Sequence, residues 1–70
     1  MKMFVTFFKN EFKIHDATSG NVMYVKSIAD EILDAQLSGN QLIVTTKKRT
    51  EVYRRIGNTY AFSFFKSYNH

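Results

Sequence analysis

The sequence predicts an all-β domain, an antiparallel meander of six or seven strands curled into a small barrel or sandwich. Three observations predict it. Every glycine is followed by asparagine, at Gly20-Asn21, Gly39-Asn40 and Gly57-Asn58, with near-even spacing. Glycine takes positive φ without a Cβ clash, and asparagine tolerates the left-handed region better than most residues. Each interval between these pairs holds two short strands and their turns. Apolar and polar residues also alternate with period two, the mark of half-buried strands. Phe12 and Ile14 alternate with Glu11, Lys13 and His15, and Leu33, Ala35 and Leu37 alternate with Asp34 and Gln36. Finally, the 70 residues contain no proline, no linker and no low-complexity stretch, so residues 1–70 read as one domain.

The first predicted strand is Met3–Phe8, followed by a tight turn at Lys9-Asn10 and a second strand, Glu11–His15. A polar loop, Asp16–Asn21, leads to a third strand, Val22–Ser27. Ser38-Gly39-Asn40 lies between two apolar runs, Ile32–Leu37 and Gln41–Thr46, and is the clearest hairpin signal. Lys47–Thr50 reads as a charged hairpin tip, followed by strands Glu51–Arg55 and Tyr60–Lys66. One segment also reads as a helix. Ser27 is a candidate N-cap with Asp30 three residues on, Ile28, Ile32, Leu33 and Leu37 share a helical face, and Gly39 stands just past the end. The alternative fold is therefore α+β with one helix over residues 28–37.

Two stretches resemble parts of a β-propeller blade of the tryptophan-aspartate repeat kind. Phe12-Lys13-Ile14-His15-Asp16-Ala17-Thr18-Ser19-Gly20-Asn21-Val22 resembles an outer strand and the turn between blades, with His15-Asp16 where many blades carry Trp-Asp. The run from Ile32 to Val44 resembles the two central strands of a blade. Val5-Thr6-Phe7-Phe8-Lys9 is echoed by Val44-Thr45-Thr46-Lys47-Lys48, with Ile14 then aligning with Tyr53. A repeat of this length built from short strands suits a propeller. One blade and parts of two others are present, whereas a closed ring takes about four or more. The resemblance implies an interaction scaffold and supplies no catalytic residues.

The residues themselves offer little chemistry. There is no cysteine, hence no disulfide and no thiolate metal site, and this usage suits a cytoplasmic protein. His15-Asp16 and the terminal His70 lack the paired spacing of a metal site. Asp30, Glu31 and Asp34 form the sole carboxylate cluster, no serine sits in a nucleophile turn, and three glycines leave no phosphate-cradling loop. We therefore expect no enzyme, no cofactor and no metal. The N-terminus lacks the pattern of a signal peptide. No apolar run approaches the roughly 20 residues of a membrane-spanning helix, so no membrane association is expected.

Two residue sets stand out. Thr6-Phe7-Phe8-Lys9 recurs as Ser63-Phe64-Phe65-Lys66, so both terminal strands carry adjacent phenylalanines that point to opposite faces. A short chain without disulfides gains core by oligomerising. Phe4, Phe7, Phe8, Phe62, Phe64 and Phe65 are thus the expected interface of a homo-oligomer, and the chain reads as a non-enzymatic binding module that self-associates. The second set is basic. Lys47, Lys48 and Arg49 on the hairpin tip, with Arg54 and Arg55 on the following strand and Tyr53 as a stacking face, suggest a small β-domain for single-stranded nucleic acid. The net charge of +4 is compatible with that partner. A third reading is a small inhibitor or accessory protein that docks on a larger protein partner.

Overall fold

The computed structural model describes all residues, 1–70, and the chain is all-β. Its strands are β1 (Met3–Phe8), β2 (Glu11–Asp16), β3 (Val22–Ser27), β4 (Ile32–Ser38), β5 (Gln41–Thr46), β6 (Arg49–Arg55) and β7 (Phe62–Asn69). They form two antiparallel sheets, ordered β1-β2-β3 and β4-β5-β6-β7. β1 lies alongside β4 at one corner without a ladder between them. On the opposite side, the Tyr24 hydroxyl on β3 donates to the Phe62 carbonyl on β7 at 3.0 Å. The result is two packed sheets with two seams, neither closed by strand pairing. β2 is the middle strand of the first sheet rather than an outer one, and β4 is an edge strand of the second sheet, a four-stranded meander, rather than a central one. The remaining strands form a sheet packed against this meander rather than neighbouring blades.

The tight turns follow from their residues. Gly39-Asn40 joins β4 to β5 with Gly39 at φ 61, and Lys9-Asn10 joins β1 to β2 with Lys9 at φ 56. In each pair the first residue takes the left-handed conformation and the asparagine does not. The asparagines bind the chain instead. The Asn10 carbonyl accepts from the Ile28 N–H at 2.8 Å, and the Asn40 carbonyl accepts from the Arg55 N–H at 2.8 Å.

The helix over 28–37 does not form. Ile32–Ser38 is a strand, and residues 28–31 link the two sheets. This link is tied to the β1–β2 turn, since Ile28 N–H donates to Asn10 O and Ile32 N–H donates to Lys9 O, each at 2.8 Å. Pairing with β5 decides the conformation. Ala35 opposite Val44 and Leu37 opposite Leu42 join the core with a strand's period of two. A bulge between Ile32 and Asp34 makes Leu33 the extra residue. Ile32 therefore faces inward and Leu33 outward, the reverse of unbroken alternation. Four strands have shifted ends: β2 and β4 each run one residue further, to Asp16 and Ser38, and the last two strands move more. β6 begins at Arg49, leaving only Lys47-Lys48 as the tip, and the last strand is Phe62–Asn69 rather than Tyr60–Lys66.

The core is one cluster: Phe12 and Ile14 from β2, Ile32, Leu42, Val44, Tyr53 and Phe62. Phe12 packs edge-on against Tyr53, their ring centroids 5.4 Å apart. The accessible surface is 4505 Å² for a mass of 8.2 kDa, close to the roughly 4500 Å² expected of a folded monomer of that mass. The chain is thus as compact as a folded monomer of its mass.

Candidate binding surface

The two expected residue sets are divided by the fold. Phe62 leaves the expected interface, because it is 1% exposed and belongs to the core. The other phenylalanines are exposed but do not share one patch. Phe4 and Phe8 lie on the outer face of the first sheet, opposite His15 and Glu11, whereas Phe7 pairs with the buried Phe12 and sits at the core's rim. Phe64 faces the same side as its partner Tyr53, in an edge-on contact at 5.7 Å. Phe65 lies on the opposite face, beneath the guanidinium of Arg54.

Tyr53 leaves the expected nucleic-acid set for the same reason as Phe62. At 2% exposed it has no ring face to offer a base. Its hydroxyl donates to Glu51 Oε1 at 2.7 Å, deep in the core side of β6. Burial first, then that hydrogen bond and the negative charge of Glu51, push the phenol well above its usual range. Arg49 is committed as well. It lies 3.6 Å from Glu51 and 3.4 Å from Asp30, on the link between sheets. Lys48 approaches the other oxygen of Asp30 at 3.6 Å. Arg55 is half-buried and donates to Thr59 O and Asn40 Oδ1. Of the basic set, Lys47 and Arg54 are exposed with no carboxylate beside them.

Two groupings escaped sequence reasoning. His15 stacks flat on Phe4, with centroids 4.6 Å apart and planes 6° from parallel, and its ring nitrogens contact Thr6 Oγ1 and the Gly20 carbonyl. The alternation of Phe4 and His15 on paired strands could have shown their shared face, but not the register. The second grouping lies on the outer face of β6 and β7. Arg54 lies over Phe65 with its guanidinium carbon 3.4 Å from the ring centroid, and the Lys66 ammonium stands 5.3 Å from Phe65 and 5.1 Å from Tyr68. Val52, a buried residue outside the core cluster, lies opposite Lys66 on this face.

The surface has no pocket that would enclose a small molecule, and no cluster of side chains suited to a metal ion. Compared with known proteins, the chain matches no family model, no curated sequence and no solved structure. No helix of the structure is long and apolar enough to cross a membrane.

Proposed function

We propose that this chain is a non-enzymatic interaction module that self-associates through β7. One observation carries the reading: β7 is an eight-residue strand at the edge of its sheet, and every residue from Ser63 to Asn69 is exposed. An edge strand presents unpaired N–H and C=O groups that invite another strand. Here the edge is flanked by Phe64 on the core side and by Phe65 and Tyr68 on the outer side. Its guards are Lys66, the bulge beside Tyr53 and, at its first residue, the Tyr24 hydroxyl on the Phe62 carbonyl. A second copy is the simplest partner, because two antiparallel edges related by a two-fold axis are self-complementary. Pairing of β7 with its counterpart would extend the four-stranded sheet and cover Phe64, now 54% exposed.

Sedimentation equilibrium from low micromolar to millimolar concentration tests this. The expected result is a rise from the 8.2 kDa monomer mass to twice that value, with Phe64→Ser remaining monomeric and folded. A wild-type protein that stays monomeric throughout would remove the proposal and leave a different protein as the partner for this edge.

A further inference from the structure

We infer that the outer face of β6 and β7 is a binding surface for single-stranded nucleic acid, built from Arg54, Phe65, Lys66 and Tyr68. This site lies on the outer face of the edge strand, on the side opposite Phe64. Its residues also differ from the tip-centred set that the sequence suggests.

Strand register assembles this face. Tyr53 points into the core, so its neighbours Arg54 and Val52 point outward. Lys66 lies opposite Val52 and Tyr68 opposite Thr50, which places both on the outer face. The bulge between Val52 and Tyr53 makes Phe65 the unpaired residue of β7, and it swings onto that face under Arg54. A bulge at an edge commonly re-aims a side chain in this way. The sequence run Phe64-Phe65-Lys66 thus presents Phe65 and Lys66 together, which unbroken alternation would forbid.

Charge then selects the ligand. None of the six carboxylates lies on the outer face of β5, β6 or β7. Glu51 points inward to Tyr53 and Arg49, and Asp30 is held by Lys48 and Arg49. Asp34 is on β4, at the far edge of the sheet. The face is therefore cationic, with Lys47 exposed at the hairpin tip where His70 N–H donates to the Lys48 carbonyl. A polyanion without bases would need only these charges. The aromatic rings add a second requirement. Phe65 and Tyr68 flank a single ammonium, and the flat Arg54 guanidinium already occupies a stacking position. Ring, cation and ring in sequence match the alternation of base and phosphate along a single strand, where aromatic and arginine planes carry the bases. In a duplex the bases are stacked on each other and their faces are not available to such rings.

Fluorescence anisotropy with a labelled twelve-nucleotide oligothymidylate tests the inference, alongside an abasic strand of equal charge and a duplex of equal length. The expected result is salt-sensitive binding of oligothymidylate, weaker binding of the abasic strand and of the duplex. Tyr68→Ala should weaken binding by about 5- to 150-fold, the range of one lost stacking contact. Tyr68→Phe should retain it. Lys66→Gln should make the log–log salt slope shallower by about 0.7, one phosphate contact to a single strand. Tyr68 and Lys66 are both exposed, so each variant should keep the wild-type circular dichroism spectrum. Phe64→Ser should bind like wild type, which separates this surface from self-association. No binding at low salt, equal binding of the abasic strand, or an unchanged affinity in Tyr68→Ala would overturn the inference.

Discussion

Lys9 is the one non-glycine residue with positive φ, at 56°. It stands where Gly39 stands in the otherwise equivalent turn before β5. A residue with a Cβ in the left-handed region carries about 1 kcal/mol or more of steric cost. Glycine would remove that cost, offset in part by its greater freedom in the unfolded chain and by loss of the exposed Lys9 contact with Phe8. Lys9→Gly should therefore stabilise the fold by about 0.5 kcal/mol. Lys9→Val should destabilise it by roughly 1–3 kcal/mol, because a branched side chain fits this region worst. Urea midpoints at unchanged slope measure both. Tyr53 couples stability to pH. Its phenol is held above the usual range in the folded protein, so the unfolded chain gives up that proton near pH 10 while the folded one keeps it. The resulting stability is complete below about pH 10 and is lost as the pH rises further, by about 1.4 kcal/mol per unit from this group. Tyr53→Phe should cost roughly 1–2 kcal/mol at pH 7, through the lost bond to Glu51, and should flatten the decline above pH 10. Urea unfolding between pH 7 and 11 would show both effects.

Among the elements, the β5–β6 hairpin depends on one buried hydroxyl. Thr46 is fully enclosed, and its Oγ1 donates to the Arg49 carbonyl at 3.1 Å while accepting from the N–H groups of Lys48 and Arg49. These three contacts explain why two lysines suffice as the loop and why β6 starts as early as Arg49. Thr46→Val keeps the shape and removes all three. It should cost about 1–3 kcal/mol, because the buried groups lose partners that water does not replace. Amide exchange should accelerate first at Lys48, Arg49 and Thr50. If the Thr46→Val midpoint matched wild type, the hairpin would be held by its ladder alone. The ion pairs beneath the same hairpin are a weaker brace. Asp30 Oδ2 and Arg49 Nε have no hydrogen-bond partner, and the Arg49 side chain is partly exposed, so solvent screens its attraction to Asp30 and Glu51.

For the whole molecule, the two faces of β7 should respond to salt in opposite ways. Self-association through Phe64 and the strand edge buries mainly apolar and backbone groups. Its dissociation constant should hold steady or tighten as salt rises, since screening relieves repulsion between subunits of net charge +4. Nucleic-acid binding on the outer face should weaken. With Arg54, Lys66 and Lys47 as the free cations, about three contacts to a single strand set a log–log slope near −2. A much steeper slope would mean that Lys48 and Arg49 leave Asp30 to bind phosphate. Sedimentation and anisotropy over one salt series would give both responses from the same protein.

Much of the strand order was legible from residues alone, because it rests on short-range chemistry. Turn residues and period-two alternation act over a few residues, and they located β1, β3 and β5 to the residue and the other strands closely. The segment at 28–37 was not legible. Its side chains satisfy both a helical face and a strand face, and only pairing with β5 across the hairpin chooses between them. The candidate surface was legible in part. Adjacent phenylalanines on the terminal strands and the exposed Arg54 could be read directly. Burial of Phe62 and Tyr53 could not, because an aromatic side chain is core or surface according to what the other sheet covers. Nor could the Arg54–Phe65–Lys66–Tyr68 array, which requires a bulge that shifts one residue of β7 against β6. Local residue chemistry sets where this chain turns and which residues alternate. Pairing between strands and packing between sheets set which face each strand buries, since one extra residue in a ladder moves every later side chain to the other side of the sheet.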